Sequence, residues 1–246
     1  MRRLALILAL SPVLLFPAVA PSSAKATEGE QEKKPDAKKK EKPDGKVWMV
    51  KKGELLWEEK FEDGKWSKEW NKYKGNFVVE GDAVKSAEIA ADGHHPAMSR
   101  KLGGDNNVVV QFSFKSDGSP WMGFALDDKE HVARLIINPD QFKIVKMSGT
   151  GGTTKGSDID SKRVKLNDGN WHTVVWEICG NEMIATIDDT HMVLGKADDL
   201  TPTRSRCELI NGAQFAWWKD IKVWKAEADD KWPAKRAQLM GALKKK

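Results

Sequence analysis

Residues Asp168–Asp189 read DGNWHTVVWEICGNEMIATIDD, and their alternation sets the expectation for the whole chain. Val174, Trp176 and Ile178 fall on one face of an extended segment, and Thr173, Val175 and Glu177 on the other. That is the period of two expected of a strand rather than the 3.6 of a helix. Cys179-Gly180-Asn181-Glu182 then interrupts with residues that tolerate positive φ. On the return, Ile184, Thr186 and Asp188 oppose Ala185 and Ile187. The reading is a half-buried antiparallel hairpin, apolar inside and polar outside.

The same pattern recurs along the chain. Strands are expected over residues 54–61, 77–80, 83–88, 98–102, 107–115, 121–126, 131–137, 141–147, 207–210 and 215–224, punctuated by turn sequences such as Asp117-Gly118-Ser119-Pro120 and Asn138-Pro139-Asp140. Val108, Val110, Phe112 and Phe114 share one face, leaving Gln111 and Ser113 outward. His131, Ala133, Leu135 and Ile137 share another, leaving Arg134 outward. Many short strands with almost no helical periodicity predict an all-β, two-sheet antiparallel sandwich. Residues 148–162 are too polar and glycine-rich to read as a strand, and no Gly-Lys-Ser/Thr makes them a phosphate loop, so a flexible rim loop is expected.

The ends differ from the middle. Arg2 and Arg3 precede an apolar run to Ala20 and small residues at Ser22-Ser23-Ala24, the pattern of a signal peptide over residues 1–24. Export to the periplasm or the outside is therefore expected, and no later apolar run is long enough to span a bilayer. Residues 25–46, with eight Lys and six acidic residues, predict a disordered linker, because nothing in them can offset the entropy of ordering. The sandwich domain is expected over residues 47–227. In residues 228–246, Asp229-Asp230 can cap a short basic helix with Pro233 in its first turn, and Trp232, Leu239 and Leu243 near one face.

Net charge excludes one class of partner. The chain carries +5, but Arg2 and Arg3 hold +2, residues 25–46 another +2 and residues 228–246 +4, so residues 47–227 net −3. A folded part without a basic footprint does not predict nucleic-acid binding. Eleven Trp beside one Tyr suit a core or a sugar platform equally well.

The hairpin, with its Trp171-His172 opening, Gly-Asn turn and Asp-Asp end, resembles the concanavalin-A-like lectin/glucanase superfamily. The strand over 107–115 and the closing Phe215-Ala216-Trp217-Trp218-Lys219-Asp220-Ile221-Lys222-Val223-Trp224 are similar to strands of that superfamily, including laminin-G-like domains. Phe61-Glu62-Asp63-Gly64 with Trp66, and the closing strand, loosely resemble the bacterial 3-keto-disaccharide hydrolases. The resemblance covers roughly residues 54–226 and implies a jelly roll with a short C-terminal helix. Laminarinase-type relatives use a Glu-x-Asp-x-x-Glu strand, whose alternation places two carboxylates on one face. This chain has no such pattern.

A binding face can be drawn from alternation. Gln111, Arg134 and Glu177 are expected on one exposed concave sheet face, with Trp121 as the aromatic platform for a sugar ring. Trp66 and Trp70 are alternative platforms. No cofactor is expected. His94, His95, His131 and His191 lack metal-ligand spacing, although Asp127-Asp128 and Asp188-Asp189 leave room for a structural calcium ion. Cys179 and Cys207 are candidates for a disulfide in an oxidising compartment. The primary functional reading is binding of a polysaccharide or glycan surface. A carbohydrate-active hydrolase and a structural interaction domain without a sugar ligand stand as alternatives.

Overall fold

A computed structural model describes residues 43–103 and 106–243. The expected signal peptide, most of the expected linker, Lys244–Lys246 and the side chain of Leu243 lie outside the described residues. Strands are numbered in chain order. Sheet I runs β13 (His191–Lys196), β12 (Glu182–Ile187), β11 (His172–Cys179), β6 (Val108–Asp117), β15 (Phe215–Ala228), β4 (Ala83–Ala87) and β3 (Asn76–Glu80), with β1 (Val50–Glu59) also paired to β15. Sheet II runs β10 (Lys155–Arg163), β9 (Gln141–Ser148), β8 (His131–Asn138), β7 (Met122–Asp127), β14 (Arg206–Asn211), β5 (Ala97–Lys101) and β2 (Asn71–Lys74). All their pairings are antiparallel. One helix, α1 (Trp232–Leu243), follows.

The deciding hairpin forms as its alternation demands. Val174 pairs with Ile187 and Cys179 with Glu182 across a two-residue turn. Gly180 takes φ 59° while Asn181 does not, which is the type II′ arrangement that matches strand twist. Trp176, Ile178, Met183, Ala185 and Ile187 join Val110, Phe112, Phe114, Phe124, Leu135 and Leu209 in the core between the sheets.

The other face of the hairpin is not solvated. Val175, Ile184 and Val109 belong to a second buried cluster with Met49, Val50, Trp224 and Trp232, backed by Trp48 and Leu239. A strap from residue 44 to 50 crosses the outer face of sheet I beside α1. Gly45 allows the closest approach, since a Cβ there would strike Val175. The expected boundary at residue 47 is therefore too late. Asp44 pairs with Lys222 (3.1 Å), and Lys46 N–H donates to Asp189 (3.4 Å).

Two other expectations change. Lys155–Arg163 is an edge strand, not a loop. Its polar sequence hides the period because Ile159 is its one apolar side chain, and a charged edge resists further pairing. The two cysteines do not pair. Cys179 ends β11 in sheet I, Cys207 is buried in β14 of sheet II, and both are free thiols. Burial raises the pKa of each.

Candidate functional site

Gln111 and Glu177 point outward from sheet I as alternation requires, but what they meet is the chain itself. Glu177 is 0 % exposed and Gln111 2 %. One Glu177 oxygen accepts the Trp48 N–H (2.8 Å), the other those of Met49 (2.7 Å) and Val50 (3.0 Å). Gln111 Oε1 accepts the Gly45 N–H (2.7 Å). Burial raises the Glu177 pKa against the pull of the three amides. These two residues anchor the strap. Arg134 lies in β8 of sheet II, so the single face expected for Gln111, Arg134 and Glu177 does not exist. Alternation says which side of its own sheet a residue takes, not which sheet its neighbour joins.

Trp121 and Arg134 do share a face, the outer one of sheet II. Cross-strand register lays Ser99, Glu208, Ala125, Arg134 and Val145 in one row, and Ala97, Ile210, Gly123 and Ile136 in the next. Small residues therefore floor its middle. Trp121 packs down onto Ala97, Ala125 and Ile210 and remains partly exposed. Gly212 makes room, because a Cβ there would strike the indole. From Trp121 a row of rings continues through His95 (5.3 Å between centroids), His94 (4.1 Å) and Tyr73 (5.7 Å), the last 66 % exposed. His94 Nδ1 lies 2.6 Å from the His95 carbonyl, so it must carry the proton and donate it. Burial, followed by the charges of His94, Arg134 and His131, holds the His95 pKa at about 4. At neutral pH that ring is uncharged.

A bulge brings His131 to this face rather than into the core, correcting the alternation. Leu126 pairs with Ala133 but Asp127 with His131, so Val132 is the extra residue and fills the core instead. Fully buried Asp127 holds His131 Nδ1 (2.9 Å), the Val132 N–H (3.3 Å) and, more distantly, Arg206 (3.7 Å). Arg206 also pairs with Glu208 (3.1 Å). Arg134 approaches His131 Nδ1 at 3.4 Å, but a nitrogen donating to Asp127 cannot also accept, so this is proximity rather than a hydrogen bond. Arg134 has no carboxylate partner among the described residues, and its Nε is buried without an acceptor.

Other constellations lie away from this face. His172 sits between Asp188 (2.6 Å) and Asp168 (3.0 Å). Burial opposes its charge, but the two carboxylates outweigh it and raise its pKa. On the uncovered part of sheet I, Lys85 and Lys115 lie over the Trp217 ring at 4.8 and 4.7 Å, and Lys219 over Trp171 at 4.6 Å. The acidic pairs considered for calcium are otherwise engaged: Asp127 as above, Asp188 with His172 and the Thr173 N–H (2.8 Å), Asp189 with Lys46. No group of three or more His, Cys, Asp or Glu suited to a metal occurs among the described residues. The alternative platforms are placed apart from the sheet II face: Trp70 is buried and donates to Glu59 (3.0 Å), and Trp66 packs on the core. The contributions of Tyr73, His95 and Glu208 were not legible, since they depend on β14 lying between β5 and β7.

No protein-family model matches the sequence, and no curated protein does. Solved structures resemble the fold. SCLam, a non-specific endo-beta-1,3(4)-glucanase from family GH16, superposes with TM-score 0.52 and 12 % identity, over 73 % of this chain and 93 % of that one. The CBM2 module of the evolved Dit of Lactobacillus casei BL23 phage J-1 gives 0.52 and 10 %, over 74 % and 99 %. The laminarinase from Rhodothermus marinus gives 0.50 and 14 %, over 70 % and 97 %. With two antiparallel sheets, their strand order and these neighbours, the chain has the concanavalin-A-like jelly-roll fold.

Proposed function

We propose that this protein is exported and binds a carbohydrate chain on the outer face of sheet II, with Trp121 as the platform. The observation that carries this reading is the row of rings from Tyr73 to Trp121 ending beside Arg134 and Glu208 on a floor of small residues. A sugar ring offers an apolar C–H face and a rim of hydroxyls, and this surface offers aromatic rings and planar polar groups at matching places. Sheet I has less free outer surface, because the strap and α1 occupy part of it. Nucleic acid is not the proposed partner, given the charge of residues 47–227.

A hydrolase in the manner of the 3-keto-disaccharide family is the second reading, and Glu208 is the carboxylate that could serve it. Glycoside hydrolysis uses two carboxylates with an open path between them. Asp127 is buried under His131 and Arg206, which favours binding over cleavage. A polysaccharide array followed by calorimetry on the best ligand tests the proposal. Trp121→Ala is expected to weaken binding by roughly tenfold or more, the scale of one buried aromatic side chain. Unchanged affinity would remove this face from consideration, and chromatography of the same mixture would expose any cleavage.

A further inference from the structure

Arg134 is half-buried on the outer face of sheet II without a matching anion. The carboxylates around it are already engaged: Asp127 with His131 and Arg206, Glu208 with Arg206, and Asp158 with Lys143 at 2.9 Å. Its Nε is buried with no acceptor, so that atom is closed to a ligand as it is to water, and the terminal nitrogens of the guanidinium are the ones left to meet an anion. A guanidinium presents a planar fork suited to two oxygens of one carboxylate. Register puts Ala125 between Glu208 and Arg134, so the fork has only a methyl group beside it across the floor toward β14. Trp121 packs on that same Ala125, so Arg134 is the cross-strand neighbour of a residue the platform covers.

We infer that the ligand is an acidic polysaccharide, a chain of sugars bearing carboxylates, with Arg134 as the residue that selects the charge. A uronate ring laid on Trp121 would direct its carboxylate to the unpaired guanidinium and leave its hydroxyls to Glu208 and to neutral His95. The low His95 pKa agrees, since after burial the fixed positive charge of Arg134 is among its causes. The inference rests on the glycan reading above and specifies the ligand class for the same face.

The test uses oligomers of galacturonate, mannuronate and guluronate, each against its carboxyl-reduced counterpart, so that backbone and length are matched. Calorimetry on the full chain is expected to show at least one acidic oligomer binding about tenfold or more tighter than its reduced partner, the usual worth of a charge-assisted hydrogen bond. Arg134→Gln should erase that preference, bringing the affinity for the acidic oligomer down to that of the reduced one in the same variant. Arg134→Lys should keep part of it and steepen its loss with salt, and Trp121→Ala should weaken both forms alike. Thermal unfolding of each variant within the wild-type range confirms that the fold is intact. Equal binding of acidic and reduced oligomers, lost in Trp121→Ala and untouched in Arg134→Gln, would overturn the acidic-ligand inference alone. Binding of neither form, or binding indifferent to Trp121, would overturn the glycan reading and this inference with it.

Discussion

At Glu177 a carboxyl group is buried because the backbone comes to meet it. Three consecutive amides, from Trp48 to Val50, converge on one carboxylate, and each such bond favours the ionised form. Burial still prevails and the pKa is raised. A carboxyl whose folded pKa lies above its unfolded value of 4.5 contributes fully below pH 4.5 and loses that contribution as pH rises through the folded pKa. Relative to Glu177→Gln, the natural protein should therefore lose stability between about pH 4.5 and neutrality. Urea unfolding of both proteins at the two ends of that range checks this. A difference independent of pH would mean that the amides compensate burial completely.

Among the elements, the strap separates two parts of the N-terminal region. Deletion of residues 1–42 keeps every hydrogen bond to Gln111 and Glu177, so unfolding of the shortened chain should match the full one within error. Continuing the deletion through Val50 removes all three donors to Glu177 and uncovers Val175 and Ile184. The apolar area so uncovered costs stability, about 1.5–3 kcal/mol for each large side chain exposed, while Glu177 becomes hydrated, so Glu177→Gln in the shorter chain should change stability little. Equal stability of the two truncations would show that water replaces the strap at no cost. The edge strand β10 makes the complementary point. Its backbone pairs with β9 and Asp160 accepts the Leu194 N–H of β13 (2.9 Å), linking the two sheets where the sequence looks like a polar loop.

The whole molecule uses the outer faces of its two sheets unequally. Much of the outer face of sheet I is occupied by the chain's own ends, with the strap on Gln111 and Glu177 and α1 tied to Glu182 by Trp232 Nε1 (2.9 Å) and Arg236. Sheet II keeps Trp121, His95 and Tyr73 at its surface. The sheets also separate the cysteines, with Cys207 in the core-facing row of β14 and Cys179 at the end of β11. Thiol titration of denatured, unreduced protein should count two free thiols per chain. None would require a rearrangement of one of the sheets.

Alternation along Asp168–Asp189 and Asn107–Lys115 was enough to establish an all-β sandwich, the hairpin at Gly180 and the inward rows of Val, Phe and Trp. These properties are local, because a strand's period and its turn chemistry reside in consecutive residues. The short C-terminal helix beginning near Trp232 was legible for the same reason, from its capping acids and Pro233. The candidate site was legible only in halves. Gln111, Glu177 and Arg134 were expected on one exposed face, yet the first two are buried under the strap, and Arg134 lies with Trp121 on sheet II. That division follows from strand order and from a seven-residue segment crossing a face far from it in sequence. Neither leaves a mark on the periodicity of the strands it joins, so tertiary packing alone determined which outward residues meet solvent and which meet the chain.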